Sequence, residues 1–98
     1  MATDVVHLRL TEQGARDIQK AVDYSDLNKE GLGPLMGVRV KQFFMTTGSW
    51  DFLAIVDAKD DASMAKFALT INGFGNVRTE TCRAFEEQEF RTLVGQLP

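Results

Sequence analysis

The feature of this 98-residue sequence that most constrains its fold is the order in which strand-type and helix-type hydrophobic patterns follow one another. Apolar and polar residues alternate over 4–10, which is the period of a half-buried strand. A helical pattern follows, then two strand-type runs around a turn, then a second helical pattern and a fourth strand-type run. The sequence therefore predicts the order βαββαβ, with a short C-terminal helix after it.

Helix caps and turn residues bound the predicted elements. Thr11 and Asp60 are typical N-caps, and the run 72–75 (Asn-Gly-Phe-Gly) is a helix stop. The run 31–34 (Gly-Leu-Gly-Pro) lacks helix propensity, so we expect a break or kink there. The predicted elements are a strand at 4–10, a helix from 12 to about 24, a hairpin of strands at 38–45 and 50–57, a helix after Asp60, a strand at 76–85 and a last helix from Glu86.

Two crossover helices and one hairpin predict an α+β, ferredoxin-like domain, in which both helices cover one face of a four-stranded antiparallel sheet. The chain has the length for one core, so we expect a single domain over 1–98 and no large cavity inside one subunit. The residues predicted to be buried by the two helices are Ala15, Ile18 and Val22 on the first and Ala65, Ala68, Leu69 and Ile71 on the second.

Composition excludes several classes of function. Acidic residues outnumber basic ones, 14 to 11, and no run of Lys and Arg is present, which disfavours nucleic acid as a partner. The single Cys82 can form neither an internal disulfide nor a zinc or iron–sulfur cluster, and it fits the reducing cytoplasm. Asp4 stands where a signal peptide carries a base, and no apolar run approaches the ~18 residues of a membrane span. We expect no metal, no cofactor and no membrane.

The sheet face that the helices leave uncovered, here called the open face, predicts a partner. The strands carry apolar side chains on both sides, and a monomer rarely exposes so large an apolar patch. A homodimer or higher oligomer that stacks two sheets face to face would cover it. On the first strand Val6, Leu8 and Leu10 are predicted to face the helices, which leaves Val5, His7 and Arg9 on the open face.

The last strand is predicted to place Cys82 and Ala84 toward the helices. Val77, Thr79, Thr81 and Arg83 would then join His7 and Arg9 on the open face. Polar groups that converge between two sheets make a pocket for a small anionic or aromatic molecule, because buried charge must be paired or solvated.

Several motifs in this chain resemble those of the GYD-domain family of small bacterial proteins. They are the runs 10–14 (Leu-Thr-Glu-Gln-Gly), 48–51 (Gly-Ser-Trp-Asp), 60–61 (Asp-Asp) and 75–81 (Gly-Asn-Val-Arg-Thr-Glu-Thr), with Arg83, Ala84 and Phe85 after them. In this chain Trp50 replaces the tyrosine of the family's name motif, so the phenol oxygen is lost, and the run 33–36 departs from the family pattern. The resemblance implies a dimeric α/β barrel of the ferredoxin-like kind and no particular reaction.

Three residues are the strongest candidates for chemistry, and each has a structural alternative. His7 is the only histidine and a candidate general acid or base, although a lone strand histidine is commonly structural. Asp51 could orient His7 or Arg9, or it could bind backbone amides at the turn. Trp50 could line a ligand pocket or belong to the core or an interface. Arg78, Glu80 and Arg83 fit an interfacial ion-pair set better than catalysis.

Three functions remain open on the sequence alone. The first is a homo-oligomeric domain that binds a small molecule between two sheets, with His7, Arg9, Trp50, Asp51, Thr79, Thr81 and Arg83 as ligand contacts. The second is a cofactor-free isomerase or monooxygenase with His7 as base and Asp51 or Arg9 as its orienting or oxyanion-binding partner. The third is a structural or accessory subunit of a larger complex.

Overall fold

Four strands pair into one antiparallel sheet in the computed structural model, which describes residues 2–98. Met1, which the predicted domain 1–98 includes, lies outside the described residues. The strands are β1 (Ala2–Leu10), β2 (Val38–Met45), β3 (Phe52–Ala58) and β4 (Val77–Ala84), in the order β2-β3-β1-β4. The sequence-based prediction of a ferredoxin-like sheet with β3 inside it is confirmed.

The first helical region is longer and less regular than predicted. Its elements are α1 (Glu12–Arg16), a 3₁₀ turn (Ile18–Lys20), α2 (Ala21–Asp26), a π-helical stretch (Leu27–Leu32) and α3 (Gly33–Leu35). The regular helix already ends at Asp17, where φ −97° and ψ 25° leave the helical region. Of the break or kink predicted at 31–34, the break is wrong, because the π-helical stretch leads directly into α3, which contains Pro34. The kink stays a prediction.

The second crossover helix, α4 (Asp61–Gly73), begins where it was predicted to begin. The Ser63 N–H donates to Asp60 Oδ1 at 2.7 Å. Hydrogen bonds from the side chain and then the backbone N–H of Ser63 lower the pKa of the Asp60 carboxyl. The buried face of α4 is Met64, Phe67 and Ile71. The predicted burial of Ala65 and Leu69 is wrong, because both are exposed, Leu69 to 74%. The side of α4 that faces the sheet lies about one residue away from the predicted side.

The core lies between α4 and one face of the sheet. Val38 and Val56 are its most buried large side chains, each 1% exposed. The first helical region contributes Leu32 and Met36 at the margin of this core. The predicted burial of Ala15, Ile18 and Val22 is wrong, because all three are exposed.

The last helix, α5 (Glu87–Gly95), begins with a capping box, within one residue of its predicted start at Glu86. The Glu86 side chain caps the first turn, and the Glu86 N–H donates to Glu89 Oε1 at 3.1 Å. Every residue of α5 is exposed. None of the helices within residues 2–98 has the length and apolar character needed to cross a membrane.

Candidate functional site

The register of the central strands separates two faces of the sheet. On β1 Val6 is 6% exposed and belongs to the core, and Leu8 packs against that core. Because side chains alternate along a strand, Val5, His7 and Arg9 lie on the open face. The predicted facing of β1 is therefore confirmed.

The predicted facing of β4 is wrong by one residue, which exchanges its two sides. Thr79 pairs with Leu8, Thr81 with Val6 and Arg83 with Asp4, so these three side chains and Val77 lie on the helix side. Cys82 pairs with Val5 instead, is exposed and lies on the open face with Ala84. Thr79, Thr81 and Arg83 therefore cannot line a pocket between two open faces.

A side-chain contact from α4 holds β4 in this register. Asn72 Nδ2 donates to Thr79 Oγ1 at 2.8 Å, and the Thr79 N–H donates to Asn72 Oδ1 at 3.3 Å. Polar residues occur on both sides of β4, so hydrophobic alternation carries no register information there. The contact between α4 and β4 through Asn72 provides it.

Three of the predicted ligand contacts meet on the open face. The His7 and Trp50 rings have centroids 5.3 Å apart, and Arg9 Cζ lies 4.6 Å from the centroid of Trp50. Arg9 Nε also donates to the Ser49 carbonyl at 3.1 Å. This His7–Arg9–Trp50 cluster combines a cation with an aromatic face, an arrangement suited to an aromatic carboxylate.

The β2–β3 turn positions Trp50 in that cluster. The Thr46 N–H donates to the Asp51 carbonyl at 2.8 Å, and the Thr46 hydroxyl donates to the Trp50 carbonyl at 2.6 Å. Gly48 has φ +140°, a conformation that side chains disfavour, which explains glycine at this point. The turn chemistry visible in the sequence thus places the indole next to β1.

Asp51 takes the structural role that was one of its two predicted alternatives. The Leu10 N–H donates to Asp51 Oδ2 at 2.8 Å, and the Asp51 N–H donates to the Leu8 carbonyl at 2.9 Å. His7 Nδ1 is buried without a hydrogen-bond partner among residues 2–98. The His7–Asp51 pair that the enzyme hypothesis favours is therefore not formed.

Three of the family-like motifs meet at the end of β1. The Thr11 N–H donates to the Asn76 carbonyl at 3.0 Å, and the Thr11 hydroxyl donates to the Gly75 carbonyl at 2.6 Å. Gln13 Nε2 donates to Asn76 Oδ1 at 3.1 Å. Together with the hydrogen bond from the Leu10 N–H to Asp51, these contacts attach the runs 10–14, 48–51 and 75–81 to one another. The first role of these motifs is therefore structural.

Asp4 is a buried polar group on the helix side of β1. It is 5% exposed, and its Oδ2 has no hydrogen-bond partner among residues 2–98. Burial raises the pKa of the Asp4 carboxyl; nearby Arg83 opposes this shift, and Asp61 adds to it. Because the folded state disfavours the ionised form, ionised Asp4 destabilises the fold at neutral pH, and this loss disappears as the pH falls below the ordinary pKa of the carboxyl.

Contrary to expectation, a single subunit contains a large cleft. It measures about 610 Å³ and lies between the helix side of the sheet and the region 21–29. Phe43, Phe52 and Phe67 line it together with Leu8 and Val22. Within residues 2–98, no group of three or more His, Cys, Asp and Glu side chains could hold a metal ion.

A four-stranded antiparallel sheet with helices on one side and an open opposite side defines a ferredoxin-like α+β domain. The chain belongs to the GYD-domain family, since the GYD domain matches residues 5–94. Over 85 residues the chain is 34% identical to the glutamine synthetase and cystathionine beta-lyase binding protein of Thermus thermophilus, a match that covers 86% of this chain and 88% of that protein.

The fold is also similar to a solved structure. The crystal structure of TTHA0845 from Thermus thermophilus matches with a TM-score of 0.59 at 25% sequence identity. The match covers 88% of this chain and 95% of the other. The sequence-based assignment to the family and to its fold is confirmed.

Proposed function

We propose that this chain is a protein-binding accessory domain. The observation that carries the proposal is the exposed apolar stripe formed by α5 and by Leu97, two residues beyond its end. Phe90, Leu93, Val94 and Leu97 are spaced to lie on one side and are 59%, 46%, 48% and 69% exposed. Isolated helices shorter than about 12 residues are marginal in water, so packing of this stripe against another chain would stabilise α5.

A relative in the family supports this proposal. The Thermus thermophilus protein that is 34% identical to this chain is named as a binding protein for glutamine synthetase and cystathionine beta-lyase. An accessory subunit was one of the three functions left open by the sequence. By extension, we propose that the partner of this chain is a metabolic enzyme and that α5 contacts it. The single cysteine favours the cytoplasm as the place of this interaction.

Replacing Leu93 with Asp is expected to abolish binding of such an enzyme. The substitution places a charge in the middle of the apolar stripe, where loss of a central contact costs about 2 kcal/mol or more. Affinity should therefore fall at least ~30-fold. The measurement is biolayer interferometry against purified glutamine synthetase and cystathionine beta-lyase from the organism that encodes this chain.

Thr92→Asp is the matched control, because Thr92 is on the opposite side of the same turn and its hydroxyl donates to the Gln88 carbonyl at 3.0 Å. Its affinity should equal that of the wild type. Equal binding by Leu93→Asp and the wild type, or no binding of either enzyme by the wild type, would contradict the proposal.

We further propose that the domain is a homodimer joined through its open faces. The half-buried side chains of Val5, Leu53 and Ile55 form the centre of that face, and Phe44, paired with Leu53, extends it. Charged residues border this centre on both outer strands, including Arg39 on β2 and Glu80 on β4. An apolar centre with a polar rim is the usual anatomy of a protein interface.

The His7–Arg9–Trp50 cluster favours a second function, binding of a small aromatic carboxylate between the two sheets. Trp50 is the only tryptophan, so its fluorescence reports on this site alone. We expect 4-nitrobenzoate to quench it saturably, and Arg9→Ala to weaken the apparent affinity at least ~10-fold through loss of the charge-assisted contact. Arg16→Ala, which changes an exposed arginine on α1, is the control. Non-saturable quenching that is the same in all three proteins would refute this function.

A further inference from the structure

The cleft on the helix side of the sheet is separate from both surfaces described above. Its volume, about 610 Å³, falls in the range of ~300–1,000 Å³ that is usual for small-molecule sites. We propose that it binds an uncharged, mainly apolar small molecule with an aromatic ring system. The protein-binding role of α5 does not require this site, so the protein-binding proposal and the small-molecule proposal are tested independently.

The floor of the cleft is aromatic. The Phe43 and Phe52 rings stack with centroids 5.3 Å apart, at an interplanar angle of 26°. Both side chains are only half-buried, as is Leu8 beside them. A flat ring system lying on this pair would remove the remaining apolar surface from water and add stacking contacts.

The cleft exists because the region 21–29 does not pack against the sheet at Phe43 and Phe52. Val22 and Leu27 line the cleft and are 69% and 61% exposed, although residues of this kind normally close a core. The π-helical stretch Leu27–Leu32 continues this wall. Single π-helical turns occur frequently at functional sites, where they reshape the wall of a pocket.

Several polar groups at the cleft already have partners within the chain, and the carboxylates in its lining disfavour an anionic ligand. Gln13 contacts Asn76, Thr79 contacts Asn72, and Lys29 Nζ lies 3.9 Å from Asp26 Oδ1. Asp17 adds a further carboxylate to the lining. An anion would meet the carboxylates of Asp17 and Asp26, with Lys29 held beside Asp26, whereas an uncharged ligand avoids this repulsion.

The test uses two fluorescent probes with one ring system, uncharged 1-aminoanthracene and anionic anthracene-1-carboxylate. Wild-type protein should bind 1-aminoanthracene saturably and at least ~10-fold more tightly than the carboxylate. Ala21→Trp, which fills the cleft from α2, should weaken 1-aminoanthracene binding at least ~10-fold. Asp23→Trp is the matched control, since it adds the same side chain at an exposed position of the same helix that does not line the cleft.

Three further variants make the result decisive. Leu27→Asp, at a largely exposed position of the cleft wall where folding tolerates a charge, should also weaken binding. Trp50→Phe and Leu93→Asp, which alter the open face and α5, should leave it unchanged. Unchanged affinity in Leu27→Asp and in folded Ala21→Trp, preference for the carboxylate, or loss of binding in Trp50→Phe or Leu93→Asp would each overturn the proposal.

Discussion

Replacing Ile55 with Glu is expected to convert the protein from a dimer into a monomer. Ile55 lies on the central strand β3 and pairs with Val5 on one side and Gln42 on the other, so it occupies the middle of the open face. A carboxylate from each copy would be buried there without a partner charge. The dissociation constant should rise at least ~100-fold, measured by sedimentation equilibrium.

Leu69→Glu is the control for this experiment. Leu69 is 74% exposed on the far side of α4, so the same apolar-to-acidic change occurs away from the open face. This variant should keep the wild-type mass, and circular dichroism should show both variants folded. A wild-type monomer at 100 µM protein (about ten times the ~10 µM dissociation constant of a weak dimer) would contradict the proposed assembly, as would a dimeric Ile55→Glu variant.

Gly14→Ala is expected to destabilise the fold by about 1–3 kcal/mol, the usual cost of overpacking. A Cβ atom at Gly14 would lie 2.0 Å from the Asn76 carbonyl oxygen, so backbone would have to move. That carbonyl accepts the hydrogen bond from the Thr11 N–H, and the movement would separate α1 from the start of β4. For a domain of this size the melting temperature should fall by roughly 4–24 °C in differential scanning calorimetry.

The comparison that isolates the steric effect is Gly73→Ala. Gly73 is also helical, at the end of α4, but an added Cβ there would meet no atom of the described residues within 4 Å. Alanine has the higher helix propensity by about 1 kcal/mol, so Gly73→Ala should leave the melting temperature unchanged or raise it. A Gly14→Ala melting temperature equal to that of Gly73→Ala would show that the Gly14–Asn76 contact is unimportant.

The candidate site was only partly predictable from the sequence. Patterns within one strand or turn can be predicted, whereas contacts between residues far apart in the sequence cannot. His7, Arg9 and Trp50 were expected together because alternation on β1 and a turn signal before Trp50 are both local patterns. Thr79 and Thr81 were assigned to the wrong side because β4 has polar residues on both sides. For Asp51 both roles were anticipated, and only the Leu10 contact distinguishes between them.

The sequence by itself determined the order of elements, the caps at Thr11 and Asp60, the facing of β1 and the family. These depend on hydrophobic period and on hydrogen bonds between residues three or four apart. The tertiary structure alone decided the facing of β4, the rotation of α4 and the cleft beneath the region 21–29. Each of these depends on contacts between different elements, such as Asn72 of α4 with Thr79 of β4, and Gly14 of α1 with Asn76 across most of the chain.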